Sequence, residues 1–272
     1  MINNSLIIDG VDVYTNFGVY VVKGGWNELV SFPPLKSVDY NDWHEYDGIE
    51  VDLSNPVLDA RELNLKFASC GNYSSFVNML LDETYRQFVC SEIGREVSLR
   101  YVQQANLAKA SSLYTFALKF SDDFPLDRTT HERLAPVSNI ASSADWKLDN
   151  INLTSYGVRV LDGSLAELLK TPAVKKNLCR NISTRSGIIY DDVPCSFQSR
   201  DVRLSCLMTA SNLTNFWVNH DTLLFDLIQP DERKLTSFGG QYKCYYKSCA
   251  VSEFIPSGNP WMKFTLTLCI TK

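Results

Sequence analysis

The sequence predicts a mainly β protein with minor α content, built from two tandem copies of one β-sandwich or β-barrel domain, each with one flanking helix. Three observations favour this fold class: the 272-residue length, short segments of alternating polarity, and a resemblance between the two halves. The predicted boundaries are 1–122 for the first copy, 123–145 for a linker and 146–272 for the second copy.

One segment of the sequence occurs twice at a constant spacing. "NFGVYVVKGG" (16–25) corresponds to "SYGVRVLDGS" (155–164), and the same offset of 139 residues aligns Pro33 with Pro172. Downstream the correspondence weakens, although "FVNMLL" and "FWVNHDTLL" occupy comparable places. Agreement at one offset over about fifty positions exceeds what chance produces, so the chain is predicted to be an internal duplication.

The shared motif is interpreted as a feature of shape rather than as a binding loop. Gly18 and Gly157 are expected to supply backbone freedom at the start of a strand, because glycine alone adopts positive φ without strain. The aromatic residues before them, Phe17 and Tyr156, are expected to pack in the core.

Alternating polarity predicts the strands of each copy. In "RELNLKF" (61–67), Leu63, Leu65 and Phe67 share one face, while the charged and polar residues share the other. A proline-containing turn separates two strands in each copy, and two further strand-like segments end each copy. This pattern predicts a sandwich or a barrel.

One segment of each copy has helical spacing instead. "NYSSFVNMLLDETYRQFV" (72–89) can place its apolar residues on one side, which predicts a helix capped by Ser74 or Ser75. The second copy is predicted to contain a counterpart that ends near Pro230.

The composition is that of a globular protein with a buried core, with 45% hydrophobic and 21% charged residues. No apolar run approaches the roughly 18 residues that span a bilayer, and the N-terminus lacks the features of a secretion signal. The eight cysteines are scattered without zinc-binding spacing, so we expect buried reduced thiols in a protein assembled in a cytoplasm. No metal or cofactor is predicted.

The residue patterns do not predict an enzyme. Gly24-Gly25 lacks the context of a phosphate-binding loop, and the three histidines have no repeated partner. Asp52/Asp191 and Arg61/Arg200 do recur, but both pairs flank the same proline-containing turn. We therefore interpret them as residues that fix the turn, through a charge pair or an Asp-to-backbone hydrogen bond.

A loop that follows the repeated prolines has opposite charge in the two copies. Residues 1–139 contain 11 Lys and Arg against 19 Asp and Glu, whereas residues 140–272 contain 15 against 12. One interpretation is a solvated loop that drifted. The other is a pair of assembly-interface loops that contact different partners or one another around a ring, in which case reversing the charges of Asp39, Asp42 and Glu45 should impair assembly. The candidate interface residues are Asp39, Asp42, Glu45, Asp47, Lys175, Lys176, Arg180 and Arg185.

The opening of the chain resembles a known family. "IDGVDVYTNFGVYVVKGG", followed by "FPPLKSVDYNDW" and "DGIEVDLSNPVLDARELNLKF", resembles the N-terminal domain of phage distal tail (Dit-like) proteins. It is similar to sequences encoded by phages and prophages of gut Bacteroidetes. The resemblance covers about residues 7–81, and residues 148–224 repeat it more weakly.

This resemblance implies a β-sandwich related to the tail-tube fold, in a homo-oligomeric ring at the tip of a phage tail. Such a ring joins the tail tube to the hub or baseplate proteins and the adsorption apparatus, with DNA only in transit through the lumen. The implied location is the virion tail, assembled in the bacterial host cytoplasm, with no membrane partner.

The duplication departs from the family pattern, in which a galectin-like domain commonly follows the ring domain. Two arrangements remain open: a hexamer in which each chain contributes one domain, or a trimer with pseudo-six-fold symmetry in which each contributes both. Closed rings need heterologous interfaces, and alternating acidic and basic copies favour the trimer.

The principal alternative is a binding module of two β-sandwiches that display loops and aromatic residues toward a host surface glycan or receptor. A hydrolase is the third class, but it requires clustered carboxylates in one cleft, and no such group recurs in the two copies.

Overall fold

The fold contains two seven-stranded antiparallel sheets, one in each copy. The computed structural model describes residues 6–111, 113–177, 179–190 and 195–272. The mainly β fold class and its two copies are therefore confirmed. Within the described ranges, no helix has both the length and the hydropathy that crossing a membrane requires.

Over its described residues, the first copy has nine strands and three helices, two of the strands forming a small separate hairpin. In chain order these are β1 (Leu6–Ile8), β2 (Val11–Asp12), α1 (Val13–Phe17), β3 (Val19–Val21), α2 (Asn27–Val30), β4 (Tyr40–Asn41), β5 (Glu50–Val51), β6 (Arg61–Ser69), α3 (Tyr73–Leu81), β7 (Tyr85–Cys90), β8 (Arg95–Ala110) and β9 (Leu113–Asp122).

The second copy repeats this succession, with a 3₁₀ turn at Leu153–Tyr156 in place of α1. Its elements are β10 (Trp146–Leu148), β11 (Ile151–Asn152), β12 (Val158–Val160), α4 (Ser164–Leu169), β13 (Cys179–Asn181), β14 (Ile188–Tyr190), β15 (Arg200–Thr209), α5 (Leu213–Leu227), β16 (Arg233–Ser237), β17 (Gly240–Ile255) and β18 (Trp261–Ile270).

The two large sheets have the same topology. Their strand orders are β2-β1-β7-β8-β9-β6-β3 and β11-β10-β16-β17-β18-β15-β12, which correspond strand by strand. Even a register shift recurs, between Tyr101 and Gln103 in β8 and between Tyr246 and Ser248 in β17. The structural correspondence therefore extends over the C-terminal strands, where the sequence correspondence is weak.

The paired glycines have the backbone conformation that the motif predicted. Gly18 and Gly157 have φ values of 64° and 69°, in the left-handed region. A Cβ atom on Gly157 would lie 2.2 Å from the carbonyl oxygen of Thr209, so no other residue fits there.

The aromatic residues before these glycines pack as expected. The ring of Phe17 lies against that of Phe76, with centroids 5.9 Å apart. Tyr156 is fully buried and donates a hydrogen bond of 2.6 Å from its hydroxyl to Asp226. Burial is the main reason that the pKa of the Tyr156 hydroxyl is raised far above its ordinary value.

The helix predicted over residues 72–89 is shorter in the structure. Helix α3 ends at Leu81, and β7 occupies the rest of the segment. Burial alternates strictly along the first part of β7, which is the period of a strand rather than of a helix. The N-cap is also different: Asn72, not Ser74 or Ser75, accepts the N–H of Ser75 at 3.1 Å.

The linker lies across helix α5. Arg133 forms two hydrogen bonds of 2.7 Å with Asp226, and the backbone N–H of Val137 donates to the side-chain oxygen of Asn219 at 2.7 Å. Polar residues of the helix are therefore satisfied by the linker.

The expectation of buried cysteines is wrong for three of the eight. All are free thiols; Cys90, Cys206, Cys244 and Cys269 are buried and Cys249 is half-buried. The exposed cysteines are Cys70, Cys179 and Cys195.

Candidate assembly interface

The two copies meet in a buried joint, and their buried apolar residues form one continuous cluster. Each copy contributes a different part of its surface. The first copy contributes what we call its loop face, residues 26–35, 43–49 and 91–95. The second copy contributes what we call its helix face, residues 174–175, 196–197, 217–221, 245–254 and 271.

Helix α5 provides the centre of the joint. The indole N–H of Trp217 donates to the carbonyl oxygen of Ile93 at 2.6 Å. The guanidinium of Arg95 lies 4.3 Å from the Trp217 ring centroid and forms two hydrogen bonds, of 2.8 and 2.9 Å, with Asp221. A first-copy cation thus binds both an aromatic face and a carboxylate of the second copy.

His220 is buried beside this pair. Its Nε2 lies 2.8 Å from the carbonyl oxygen of Val30, and its Nδ1 lies 2.9 Å from Asp221. Burial lowers the pKa of His220, although the hydrogen bond to Asp221 opposes the shift. Burial also opposes ionisation of Asp221, but hydrogen bonds from His220 and Arg95 outweigh it and hold the pKa of Asp221 well below its ordinary value.

The proline segment of the first copy packs along β17. The hydroxyl of Tyr246 donates to the carbonyl oxygen of Pro33 at 2.8 Å. The N–H of Leu35 donates to the carbonyl of Lys247 at 2.9 Å, and Ser31 Oγ accepts the N–H of Val251 at 3.1 Å. Backbone groups of both copies therefore satisfy one another across the joint.

Lys175 is the most deeply buried charge of the joint, with 3% of its surface exposed. Its Nζ donates to the carbonyl oxygens of Trp43, Tyr46 and Gly48 at 2.7, 2.8 and 2.6 Å, and it lies 2.6 Å from the carboxylate of Asp42. A lysine is stable in such a place only because acceptors replace its water shell. The acidic loop of the first copy thus wraps around an ammonium of the second.

A small apolar cluster closes the joint beside this loop. Ile49 and Leu53 pack against Tyr245 and Cys269 of the second copy. The backbones of the two copies approach so closely here that a Cβ atom on Gly48 would lie 1.5 Å from the carbonyl oxygen of Thr271. Glycine is therefore required at position 48 by contact as well as by its φ of 73°.

The predicted acidic residues divide into two groups. Asp42 pairs with Lys175, and the carboxylate of Asp47 accepts the N–H of Phe197 at 2.8 Å. All four acidic residues, Asp39 and Glu45 included, are exposed, and Asp42 and Asp47 contact the second copy.

Of the predicted basic residues, the structure brings only Lys175 to the joint, among the described residues. Arg180 lies in β13 and Arg185 in the turn before β14. Both side chains and that of Lys176 are exposed. The acidic loop is thus engaged within the chain, whereas the basic side chains that follow Lys175 are exposed.

The repeated arginines do not fix the proline-containing turn by a charge pair, as was expected, but bind outside it. Arg61 pairs with Asp122 at 2.9 Å and donates to the carbonyl of Ser31, while Arg200 donates to the carbonyls of Glu167 and Leu168. Each therefore ties its strand to the preceding helical segment. The carboxylate of Asp52 accepts the N–H of Ser54 at 3.0 Å, the expected Asp-to-backbone bond. Its predicted counterpart Asp191 and the turn residue Pro194 lie outside the described residues.

Sequence reasoning missed Trp217, His220 and Arg95. His220 was set aside because it has no counterpart in the first copy. In the structure this asymmetry is the signal, because only the second copy's helix packs against another copy within the chain. A polar residue present in one copy of a repeat and buried there therefore indicates a contact that its counterpart does not make.

A cavity of about 320 Å³ lies between the copies beside His220. Four of its charged lining residues form two ion pairs, Arg61 with Asp122 at 2.9 Å and Arg95 with Asp221 at 2.8 Å. Among the described residues, no group of three or more His, Cys, Asp or Glu side chains could hold a metal ion.

No protein-family model matches the sequence, and no curated protein matches it. Among solved structures, the chain is similar to the Dit protein (gp 19.1) of phage SPP1, described as a paradigm of the hub adsorption apparatus in Gram-positive infecting phages. The match covers 98% of each chain, with 11% sequence identity and a TM-score of 0.32. Similarity at that TM-score does not establish a common fold.

Proposed function

We propose that the protein is a structural component of a phage tail. It forms a ring at the tail tip that joins the tail tube to the hub or baseplate and the adsorption apparatus. The observation that carries this proposal is the joint itself, in which two copies of one domain bind through different faces. Repeated contacts of that heterologous kind generate rings when their rotation closes.

Two further features support the proposal. Residues 7–81 resemble the N-terminal domain of phage distal tail proteins, whose domains form such rings. The buried joint also aligns both copies in the same head-to-tail sense, which favours a trimer whose six domains form one ring over a hexamer that uses one domain per chain. The proposed role is structural rather than catalytic and needs no cofactor.

Two measurements test this function. Native mass spectrometry of the purified 30.8 kDa chain should show a species of three chains. Immunogold labelling of tail particles from the phage or prophage that encodes the chain should place it at the distal end. Particles that lack the protein would refute the tail role.

A glycan array distinguishes the proposal from the binding-module alternative. The monomeric chain should bind no glycan above the level of an unrelated β-sandwich protein. Specific glycan binding by monomers that do not assemble would favour a receptor-binding function instead.

A further inference from the structure

Each copy has both a loop face and a helix face, but the joint within the chain uses only one of each. The loop face of the second copy and the helix face of the first copy are not used in it. Building on the proposed ring, we propose that these two faces bind each other between chains, so that the second copy of one chain docks on the first copy of another.

The loop face of the second copy exposes apolar side chains at joint positions. Leu169, Ile188 and Phe238 are 62, 61 and 65% exposed. Large apolar side chains that are exposed at positions buried in a related contact indicate an interaction surface. The corresponding positions of the first copy are buried at the joint: Val30, Ile49 and the β7–β8 turn that contains Ile93.

Lys36 on the helix face of the first copy is the structural counterpart of Lys175. The N–H of Lys36 donates to the carbonyl of Val57 at 2.9 Å, just as that of Lys175 donates to the carbonyl of Ser196 at 2.8 Å. Lys175 is buried among carbonyl oxygens of the neighbouring copy, whereas Lys36 is exposed. The proposed contact places Lys36 among the carbonyls of residues 182–187 of another chain.

The outer half of β8 is likewise open where its counterpart is covered. Leu107 and Val251 are equivalent positions, because Leu107 pairs with Phe116 in the first sheet as Val251 pairs with Phe264 in the second. Val251 lies under the α2 segment, where its N–H reaches Ser31, but Leu107 is exposed. Helix α4 occupies in the second copy the place that α2 occupies in the first. In the proposed contact, α4 therefore covers Leu107 of another chain.

The charges of this contact differ from those of the joint. The loop of the second copy that Lys36 would enter carries Arg180 and Arg185. Asn181 stands where the first copy has Asp42. Because Lys36 meets no carboxylate there, the contact between chains should be weaker than the joint.

Two double variants test this contact. The loop-face variant carries Leu169→Asp and Ile188→Asp; the helix-face variant carries Lys36→Met and Leu107→Asp. All four residues are exposed, so both proteins should fold, as thermal unfolding followed by circular dichroism can verify. Lys234→Met is the matched control, because it makes the same substitution at an exposed lysine outside both the loop face and the helix face.

Native mass spectrometry at low salt should show oligomers for wild type and for the control, and monomers for each double variant alone. An equimolar mixture of the two variants should form a heterodimer of twice 30.8 kDa, because each variant retains one intact face. A mixture that stays monomeric would overturn the contact, as would wild-type-like oligomers of either variant.

The outcomes also separate this contact from the proposed function. Oligomers that persist in both variants overturn the proposed contact but do not contradict the proposed ring. A heterodimer formed by a protein that is missing from tail particles supports the contact and removes the tail role. A wild-type chain that stays monomeric at tens of micromolar overturns both.

Discussion

The loop that follows the repeated prolines has different surroundings in the two copies. In the first copy it is acidic and encloses the buried ammonium of Lys175; in the second it is basic, and the basic side chains after Lys175 are exposed. Residues 42–48 thus enclose a lysine of the other copy, whereas their counterparts, residues 181–187, enclose none within the described part of the chain. Duplication supplies matching faces, and side-chain charge distinguishes the internal joint from the end left for a partner.

The long helices differ in the same way. Helix α3 has nine residues and buries two apolar side chains, whereas α5 has fifteen and also buries Asn219, His220, Thr222 and Asp226. These polar groups bond to the other copy or to the linker. Helix α5 therefore contains buried polar residues because it lies between the first copy and the linker, which supply their hydrogen-bond partners.

The largest expected effect is at Trp217. Trp217→Ala should lower the free energy of unfolding by about 3–5 kcal/mol, because it leaves a cavity at the joint and an unpaired Ile93 carbonyl. The counterpart change in α3, Val77→Ala, should cost about 1 kcal/mol, since Val77 is only half-buried. Urea titrations of both variants test the difference. If Trp217→Ala lowered the free energy of unfolding no more than the small loss expected for Val77→Ala, the joint would contribute little to stability.

Lys175 comes next. Lys175→Met should cost about 3 kcal/mol, because three carbonyl oxygens lose their donor. Lys36→Met should leave the stability of the monomer within about 0.5 kcal/mol of wild type, since Lys36 is exposed there. Denaturant titration of the monomeric proteins measures both, and a large loss in Lys36→Met would contradict the assigned difference between the lysines.

Acid should weaken the joint through His220. Burial lowers its folded-state pKa below the unfolded value near 6.5 and outweighs the Asp221 carboxylate and the Val30 carbonyl, whose hydrogen bonds favour the charged ring. Only the unfolded chain therefore gains a proton as pH first falls below 6.5. Stability should therefore decrease from about pH 6.5 downward, by at most about 1.4 kcal/mol per pH unit. Any contribution from Asp221, whose pKa is also lowered, falls below about pH 4.

The variant His220→Gln isolates this effect. Its stability, measured by urea titration between pH 7.5 and 5, should change less with pH than that of wild type. An unchanged slope would show that His220 does not carry the pH dependence.

Asp42→Asn should have the smallest effect. Its carboxylate is half exposed, and an exposed ion pair contributes about 0.5 kcal/mol. Lys175 also keeps its three carbonyl acceptors. A loss above about 2 kcal/mol in thermal unfolding would show that the charge, rather than the backbone acceptors, holds the lysine.

The sequence allowed prediction of what depends on local pattern. The fold class, the left-handed glycines and the alternating face of β6 follow from periodicity and turn chemistry. The end of α3 did not, because Phe88 and Val89 suit a helix face as well as a strand. Their pairing with β8 decides the matter, and it depends on contacts distant in sequence.

The role of the two charged loops in assembly stays a prediction. Opposite charge at equivalent positions drew attention to these loops, yet no sequence pattern could show that Lys175 enters the acidic loop of its own chain. That contact depends on how the two sheets are placed against each other. His220 and Trp217 were missed for the same reason, because their partners Val30 and Ile93 contribute backbone carbonyls, which carry no sequence signal.

The most direct test of the repeated joint is an experimental structure of the assembled protein at side-chain resolution. The account predicts that Lys36 of each chain lies among the backbone carbonyls of residues 182–187 of its neighbour, with Leu169 of that neighbour over Leu107. An assembly in which Lys36 and Leu107 remain in solvent would contradict it.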